Sequence, residues 1–286
     1  MNRLLYAAVP ALIVALLGSG GYWWWRQQQK PPMTASSLPA AQETTPAAAP
    51  PASPPAVRFP IDESLAAASA LPAAAALPAL GEADDHVRAT LTDLLGRQGV
   101  LSWLQTESFV RHAVATVDNL AREHASPMLW PLKPTAGRFS VDAAPSGAAR
   151  ISPDNAARYT AFVLFAEGVD TRTAAATYAR LYPLFQQAYE DLGFPGRHFN
   201  DRLVEVIDHL LKTPEFERMP EVRMRDIKGP AKPARPWENY EFADPTLASL
   251  SSGQKLLLRM GPVNERRLKA RLREFRRELV AGNPQG

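Results

Sequence analysis

Hydrophobic positions recur at three and four residues over most of the chain from about residue 80 onward, the period of helices with one buried stripe. Residues 84–97 place Val87, Leu91, Leu94 and Leu95 on one face, and residues 107–120 do the same with Phe109, Val110, Ala113, Val114, Val117 and Leu120. Ser152-Pro153 has the form of a helix start, a hydroxyl N-cap followed by proline in the first turn. That helix continues through Tyr159, Phe162, Val163 and Ala166. Asp170 is placed to cap the next, whose face holds Tyr178, Leu181, Tyr182, Phe185 and Leu192, with Pro183 inside it as an expected kink or break. Gly193, Pro195 and Gly196 end it, and a helix over 200–212 stops at Thr213-Pro214. Asp244-Pro245 opens a helix running towards Met260, and Gly261-Pro262 separates it from a last helix over 263–280. Alternation is short and imperfect at 137–142 and 221–227, each a short strand or an extended connection. The segment 229–237, with its prolines, reads as loop.

The first 80 residues follow a different pattern. Residues 4–25 carry no charge, with Arg3 before them, Arg26 and Lys30 after them, and Tyr22, Trp23, Trp24 and Trp25 closing the run. A helix rising 1.5 Å per residue over that length spans a hydrocarbon core of ~30 Å, and such aromatics favour the headgroup region. Gly18-Ser19-Gly20-Gly21 also offers a signal-peptide cleavage spacing. Cleavage there would leave Tyr-Trp-Trp-Trp at a soluble end, so an uncleaved anchor is expected. Between 31 and 80 there are 11 Pro and 17 Ala in 50 residues, with few large apolar groups. This reads as a disordered, semi-rigid spacer with a reach on the order of 150 Å. The expected division is an anchor with flanks at 1–30, a linker at 31–79, one mainly α domain with at most two short strands at 80–281, and a tail at 282–286.

Composition limits the chemistry. Across 286 residues, 46% are hydrophobic and 21% charged, with a net charge of +3 from 32 Lys+Arg and 29 Asp+Glu. That balance excludes a wholly disordered or collagen-like chain, and it is too mildly basic to indicate a nucleic-acid partner. Cysteine is absent, which removes disulfides, thiolate zinc sites, iron–sulfur clusters and thiol catalysis. The five histidines, His86, His112, His124, His198 and His209, form no H-E-x-x-H. No nucleophile elbow, dinucleotide fingerprint or Walker lysine is present, and Gly253-Gln254-Lys255 lacks the earlier glycine of a phosphate loop. No catalytic, cofactor-binding or metal-binding residue is therefore assigned.

Two polar regions remain as candidate interaction surfaces. The first is Arg197, His198, Asn200, Asp201 and Glu205, at and after a Gly-Pro-Gly turn. Paired carboxylates invite acid–base chemistry, and a helix start can hold an anion. The plainer alternative is capping by Asn200 and a solvated helix back carrying Asp201, Glu205, Asp208, His209 and Lys212, opposite a core stripe of Leu203, Val204, Ile207, Leu210 and Leu211. The second is the last helix, with seven cations from Arg266 to Arg277 and only Glu274 among them. Arg266, Arg267, Lys269, Arg273 and Arg277 there could face an anionic lipid, wall polymer or nucleic acid, or simply water. The stripe Tyr178, Tyr182, Phe185 and Tyr189 is expected to be core.

Several runs together resemble a known family: Phe109-Val110-Arg111 with Val114-Ala115-Thr116-Val117-Asp118-Asn119-Leu120; Pro131-Leu132-Lys133-Pro134; Leu181-Tyr182-Pro183-Leu184-Phe185-Gln186-Gln187-Ala188-Tyr189; Phe199-Asn200-Asp201-Arg202-Leu203-Val204-Glu205-Val206-Ile207-Asp208; Phe242-Ala243-Asp244-Pro245; and Ser252-Gly253-Gln254-Lys255-Leu256-Leu257-Leu258-Arg259-Met260-Gly261. The chain resembles the proteobacterial domain-of-unknown-function family 3014 over roughly residues 78–280. The resemblance implies one membrane helix, a Pro/Ala-rich spacer and one helical domain, with no activity to transfer. Where the family has Asn-Leu-Pro-Arg, this chain has Asn119-Leu120-Ala121-Arg122, so a continuing helix is expected there.

These readings converge on a single-pass protein of the bacterial inner membrane with a periplasmic interaction or scaffold domain and no cofactor. An envelope protein or anionic polymer is its expected partner. Two alternatives stay open: an envelope hydrolase built on His198, Asp201 and Glu205, and a cytoplasm-facing binder of anionic lipid or nucleic acid through the last helix.

Overall fold

A computed structural model describes residues 56–62, 65, 76–143, 148–225 and 235–281. The expected anchor at 4–25, most of the spacer and the tail at 282–286 lie outside these residues. Among the described residues no helix is long and apolar enough to cross a membrane.

The described part is mainly helical, with eight α-helices and one small sheet: α1 Asp84–Trp103, α2 Phe109–Leu120, β1 Val141–Ala143, β2 Ala149–Ile151, α3 Pro153–Gly168, α4 Thr171–Asp191, α5 Phe199–Leu211, β3 Glu221–Met224, β4 Tyr240–Phe242, α6 Pro245–Ala248, α7 Ser252–Arg259 and α8 Pro262–Val280. The four strands are antiparallel in the order β1-β2-β3-β4, two more than expected. Only β1 and β3 fall in segments with visible alternation. β2 and β4 are three residues each, too short for a period of two to show. Pairing secures them instead: Arg150 reaches Glu221 at 2.9 Å across β2 and β3, and Arg223 reaches Glu241 at 2.8 Å across β3 and β4.

Helix boundaries follow local chemistry. Asp170 accepts from the Thr173 N–H at 2.7 Å and starts α4, which then runs unbroken through Pro183. Leu181, Leu184 and Phe185 are buried on either side of that proline, so packing outweighs the one lost backbone bond. The expected continuous helix from Asp244 to Met260 is two. Asp244 caps α6 by accepting from the Thr246 N–H at 2.8 Å. Ser251 and Gln254 then form a reciprocal capping box that restarts the chain as α7. The run after Asn119 does not continue as helix, because α2 ends at Leu120.

One core lies between α1, α2, α4, α5 and α8, holding Val87, Val110, Val114, Tyr178, Phe185, Phe199, Val204 and Ile207. The aromatic stripe of α4 belongs to it. Tyr178, Phe185 and Tyr189 are buried, and the Phe185 and Phe199 rings stack at 5.8 Å. A second cluster of Ile151, Val222, Phe242, Leu247 and Leu258 fixes α6 and α7 to the sheet. A third, of Val206, Leu210, Leu257 and Met260, lies between α5 and α7. α5 is therefore packed on two sides. Its expected solvated back is narrower than the pattern suggests: Glu205 is exposed, whereas Asp208 holds Arg276 at 2.5 Å.

Gly253 gains its meaning here. Ser252 donates its backbone N–H to the Arg122 carbonyl at 2.7 Å and its hydroxyl to the Asn119 carbonyl at 2.9 Å, which presses the start of α7 onto the end of α2. A methyl at Gly253 would stand 2.9 Å from the Leu120 carbonyl oxygen and 2.6 Å from a Leu210 methyl. Gly253→Ala is expected to destabilise the domain by roughly 1–3 kcal/mol, the usual range for overpacking. Chemical denaturation would read this, and an unchanged midpoint would contradict the close approach.

The first two turns of α8 bury two ionisable side chains. Glu265 and Lys269 are each 2% exposed. Lys269 Nζ donates to the Thr213 carbonyl at 2.8 Å and to Glu215 at 2.7 Å, leaving Glu265 3.6 Å away. Burial pushes the Glu265 carboxyl up from the usual 4.5 to about 7, against the pull of Lys269. The folded state thus keeps a proton that the unfolded chain releases near its ordinary value. This contribution to stability is full below about pH 4.5 and is lost as pH rises through about 7. Glu265→Gln should flatten the fall of Tm between pH 5 and 8, by an amount on the order of 3 kcal/mol at most. Parallel Tm profiles for the two proteins would refute the buried-acid assignment.

Candidate functional site

Four of the five residues in the first candidate region come together in one groove at the head of α5. Arg197, His198, Asp201 and Glu205 line a cleft of about 410 Å³, joined by Arg58, Asp118, Arg122, Tyr189, Phe194 and Arg202. The turn that presents them is built by α4. Gly193 and Gly196 take φ of 109° and 72°, values that favour glycine. Gln186 reaches over the turn, donating to the Arg197 carbonyl at 2.7 Å and accepting the Phe199 N–H at 2.9 Å. The Tyr182 hydroxyl steadies Gln186 at 2.9 Å. The expected N-cap role of Asn200 is corrected: His198 occupies the cap position, without a side-chain cap bond, and the orphan N–H of Phe199 is met by Gln186.

Asn200 instead lies fully buried beneath the groove. Its Oδ1 accepts from the Tyr178 hydroxyl at 3.2 Å, and its Nδ2 donates to the Phe59 carbonyl at 2.8 Å. Asp201 completes the grip, accepting the Arg58 N–H at 3.0 Å and the Phe59 N–H at 2.7 Å. Two neighbouring side chains therefore read three backbone groups of one extended segment. That segment, 56–62, falls within the stretch expected as spacer. Phe59, Ile61, Leu65 and Leu77 pack on the main core, whereas Val57 stays exposed.

On the opposite wall Asp118, with a side chain only 5% exposed, accepts from Arg202 at 2.9 Å and is also held by Arg122. Glu205 meets Arg202 at 3.3 Å and Arg58 at 3.7 Å. Four guanidinium groups thus surround three carboxylates. Burial raises the Tyr189 hydroxyl above its usual value, with Asp118 adding to the effect and Arg202 and Arg197 opposing it. The side chains of Arg197 and His198 make no hydrogen bond or ion pair among the described residues.

The second candidate region does not form one surface. Lys269 is buried against Thr213 and Glu215. Arg267 is clasped by Glu167 across to α3. Arg266, Arg273 and Arg277 remain exposed. None of these five lines the groove. Sequence reasoning missed Arg58, Asp118 and Arg122 as groove residues. The signals were slight: a Val57, Phe59, Ile61 alternation inside a Pro/Ala-rich run, and a carboxylate set on the inner side of α2. Among the described residues no group of three His, Cys, Asp or Glu is placed to hold a metal ion.

A family described as Protein of unknown function (DUF3014) matches residues 109–276, and the chain belongs to that family. The match runs from the start of α2 into the last turns of α8. It takes in the α4–α5 turn but not the docked segment 56–62. No curated protein and no solved structure matches the chain.

If Asp201 is the clamp for the docked segment, Asp201→Ala loses two charge-assisted bonds worth roughly 2 kcal/mol together at a partly exposed site. Limited trypsin cleavage after Arg58 should then accelerate about tenfold or more, while the remaining pattern of fragments stays the same. Equal cleavage rates would show that the segment is held by something else.

Proposed function

We propose that this chain is a single-pass, membrane-anchored protein of the bacterial cell envelope, whose helical domain serves interaction or scaffolding rather than catalysis. The observation that carries this reading is the grip of Asn200 and Asp201 on the backbone of Arg58 and Phe59. The chain arriving from the uncharged run at 4–25 meets the domain at this groove, so a pull on the anchor is delivered to α4 and α5. Beside the grip, Arg197 and His198 offer a guanidinium and an imidazole to a second molecule. An envelope protein segment or an anionic polymer suits that chemistry.

The hydrolase reading has one point in its favour, because His198, Asp201 and Glu205 do share a concave site. Their bonds argue the other way. Both Asp201 oxygens accept backbone N–H groups, and Glu205 is held by two arginines. The groove carboxylate most shielded from water is Asp118, which is itself clamped between Arg122 and Arg202. His198 is unbonded among the described residues, but neither carboxylate beside it is free to orient it or share its work. The lipid or nucleic-acid reading is weakened by the burial of Lys269 and the pairing of Arg267, Arg271 and Arg276.

The test is topology. A reporter active only outside the cytoplasm, fused after Gly286, should be active in intact cells. Inactivity of that fusion, together with activity of a cytoplasmic reporter at the same position, would overturn the envelope assignment.

A further inference from the structure

The sheet end of the domain holds a second recess. Two adjoining hollows of about 470 and 370 Å³ share Glu238, Tyr240, Leu256 and Arg259. Arg259 is the last residue of α7, and its main chain is pinned by Asn155 Nδ2, which donates to the Arg259 carbonyl at 2.9 Å. Its guanidinium carbon lies 5.9 Å from the Phe139 ring centre and 5.6 Å from that of Phe242. One Nη donates to the Tyr240 carbonyl at 3.1 Å. The remaining N–H groups of this guanidinium have no acceptor among the described residues.

Arg202, Arg267, Arg271 and Arg276 are partly buried, and each holds a carboxylate. Arg158, also partly buried and lining the smaller hollow, pairs with no carboxylate but gives its N–H groups to Asn155, Thr135 and the carbonyls of Ala136 and Gly137. Arg259 makes no ion pair among the described residues. Glu238 and Glu241 also line the recess but are paired, Glu241 with Arg223 and Arg225 and Glu238 with Arg235. Glu123 is exposed at the rim, on the side of Lys255. Burial weakens the hold of the Arg259 guanidinium on its proton, with Arg225 adding to the effect and Tyr159 opposing it. Arg259 is half-buried, and a guanidinium partly withdrawn from water without a counter-charge carries part of that desolvation cost. Two rings supply part of the compensation, and an anion would supply the rest.

Lys255 lies one turn earlier on the same face of α7, with Nζ 3.3 Å from the Ala248 carbonyl. Both cations line the larger hollow, and Tyr159 and Trp237 extend the apolar wall of the smaller one. A recess of a few hundred Å³ with aromatic walls and a few convergent polar groups is the usual form of a small-ligand site.

We propose that this recess binds a small organic anion, with a carboxylate or phosphate ester head set against Arg259 and Lys255 and a flat apolar body against Tyr159, Tyr240 and Leu256. The planar guanidinium can offer two parallel N–H donors to such a head group. The flat body would displace water from the rings and Leu256. This site is separate from the groove at the head of α5 and does not depend on the reading given to that groove.

Calorimetric titration of the full-length chain with phenyl phosphate and with benzoate tests the proposal, using inorganic phosphate and benzyl alcohol as controls. Saturable binding of one aromatic anion per chain is expected, about tenfold or more tighter than either control, since both the head and the body contribute. The better of the two anions identifies the head group. Arg259→Met should weaken that binding about tenfold with the near-UV spectrum unchanged, and Leu256→Trp, which fills the recess, should abolish it. Should Arg259→Met fail to fold, Lys255→Met gives the same reading at the recess mouth, with an expected loss of severalfold. Absence of saturable binding by both aromatic anions would overturn the proposal. So would binding that inorganic phosphate equals, or that survives Leu256→Trp intact.

Discussion

The buried amide of Asn200 is the point at which the aromatic core, the first turn of α5 and the chain arriving from the N-terminal side meet. An amide without water must have its donor and acceptor satisfied inside the protein. Here the acceptor is satisfied by the Tyr178 hydroxyl of α4 and the donor by the Phe59 carbonyl of the docked segment. Each partner is itself fixed by packing: Tyr178 against Phe185 at 5.3 Å, and Phe59 against the main core. Loss of the docked segment would forfeit the bond to the Phe59 carbonyl, a net cost of roughly 1 kcal/mol. The segment is thus part of the fold as well as the approach to it, although it lies outside the residues matched by the family.

Charge pairing imposes the second constraint. Carboxylates at helix contacts are bridged to arginines on another element: Asp118 of α2 with Arg202 of α5, Asp208 of α5 with Arg276 of α8, Glu167 of α3 with Arg267 of α8. These pairs explain why the strongly basic last helix is not a broad cationic surface. Its cations are largely spent on internal partners, and Lys269 lies wholly inside. Against that background the partner-poor groups gain meaning. Arg197 and His198 face the groove, and Arg259 stands in the recess by the sheet, each where a second molecule could reach it.

Much of the helical frame was legible because long amphipathic runs carry their own boundaries. The Asp170 cap, the proline-led starts of α3 and α8, and the glycines after α4 all sit where local chemistry places them. What escaped was non-local. β2 and β4 exist through pairing with β1 and β3 rather than through any pattern within three residues. The break before α7 depends on a capping box whose two members are polar residues in an otherwise helical run. The role of Gly253, set aside as a failed phosphate motif, is a contact with α2 that no local reading contains. In the groove, Asp201 and Glu205 stood out by type and spacing. Their use as a backbone clamp and an arginine partner required knowing that residues 56–62 fold back over 140 positions later in the chain.

The claim that the α4–α5 turn grips its own approaching chain is tested most directly by amide hydrogen exchange at Arg58 and Phe59 in the full-length protein. Bonding of both N–H groups to Asp201 predicts protection well above that of the neighbouring Val57, removed by Asp201→Ala. Exchange at the rate of an unstructured chain in the unaltered protein would contradict the account.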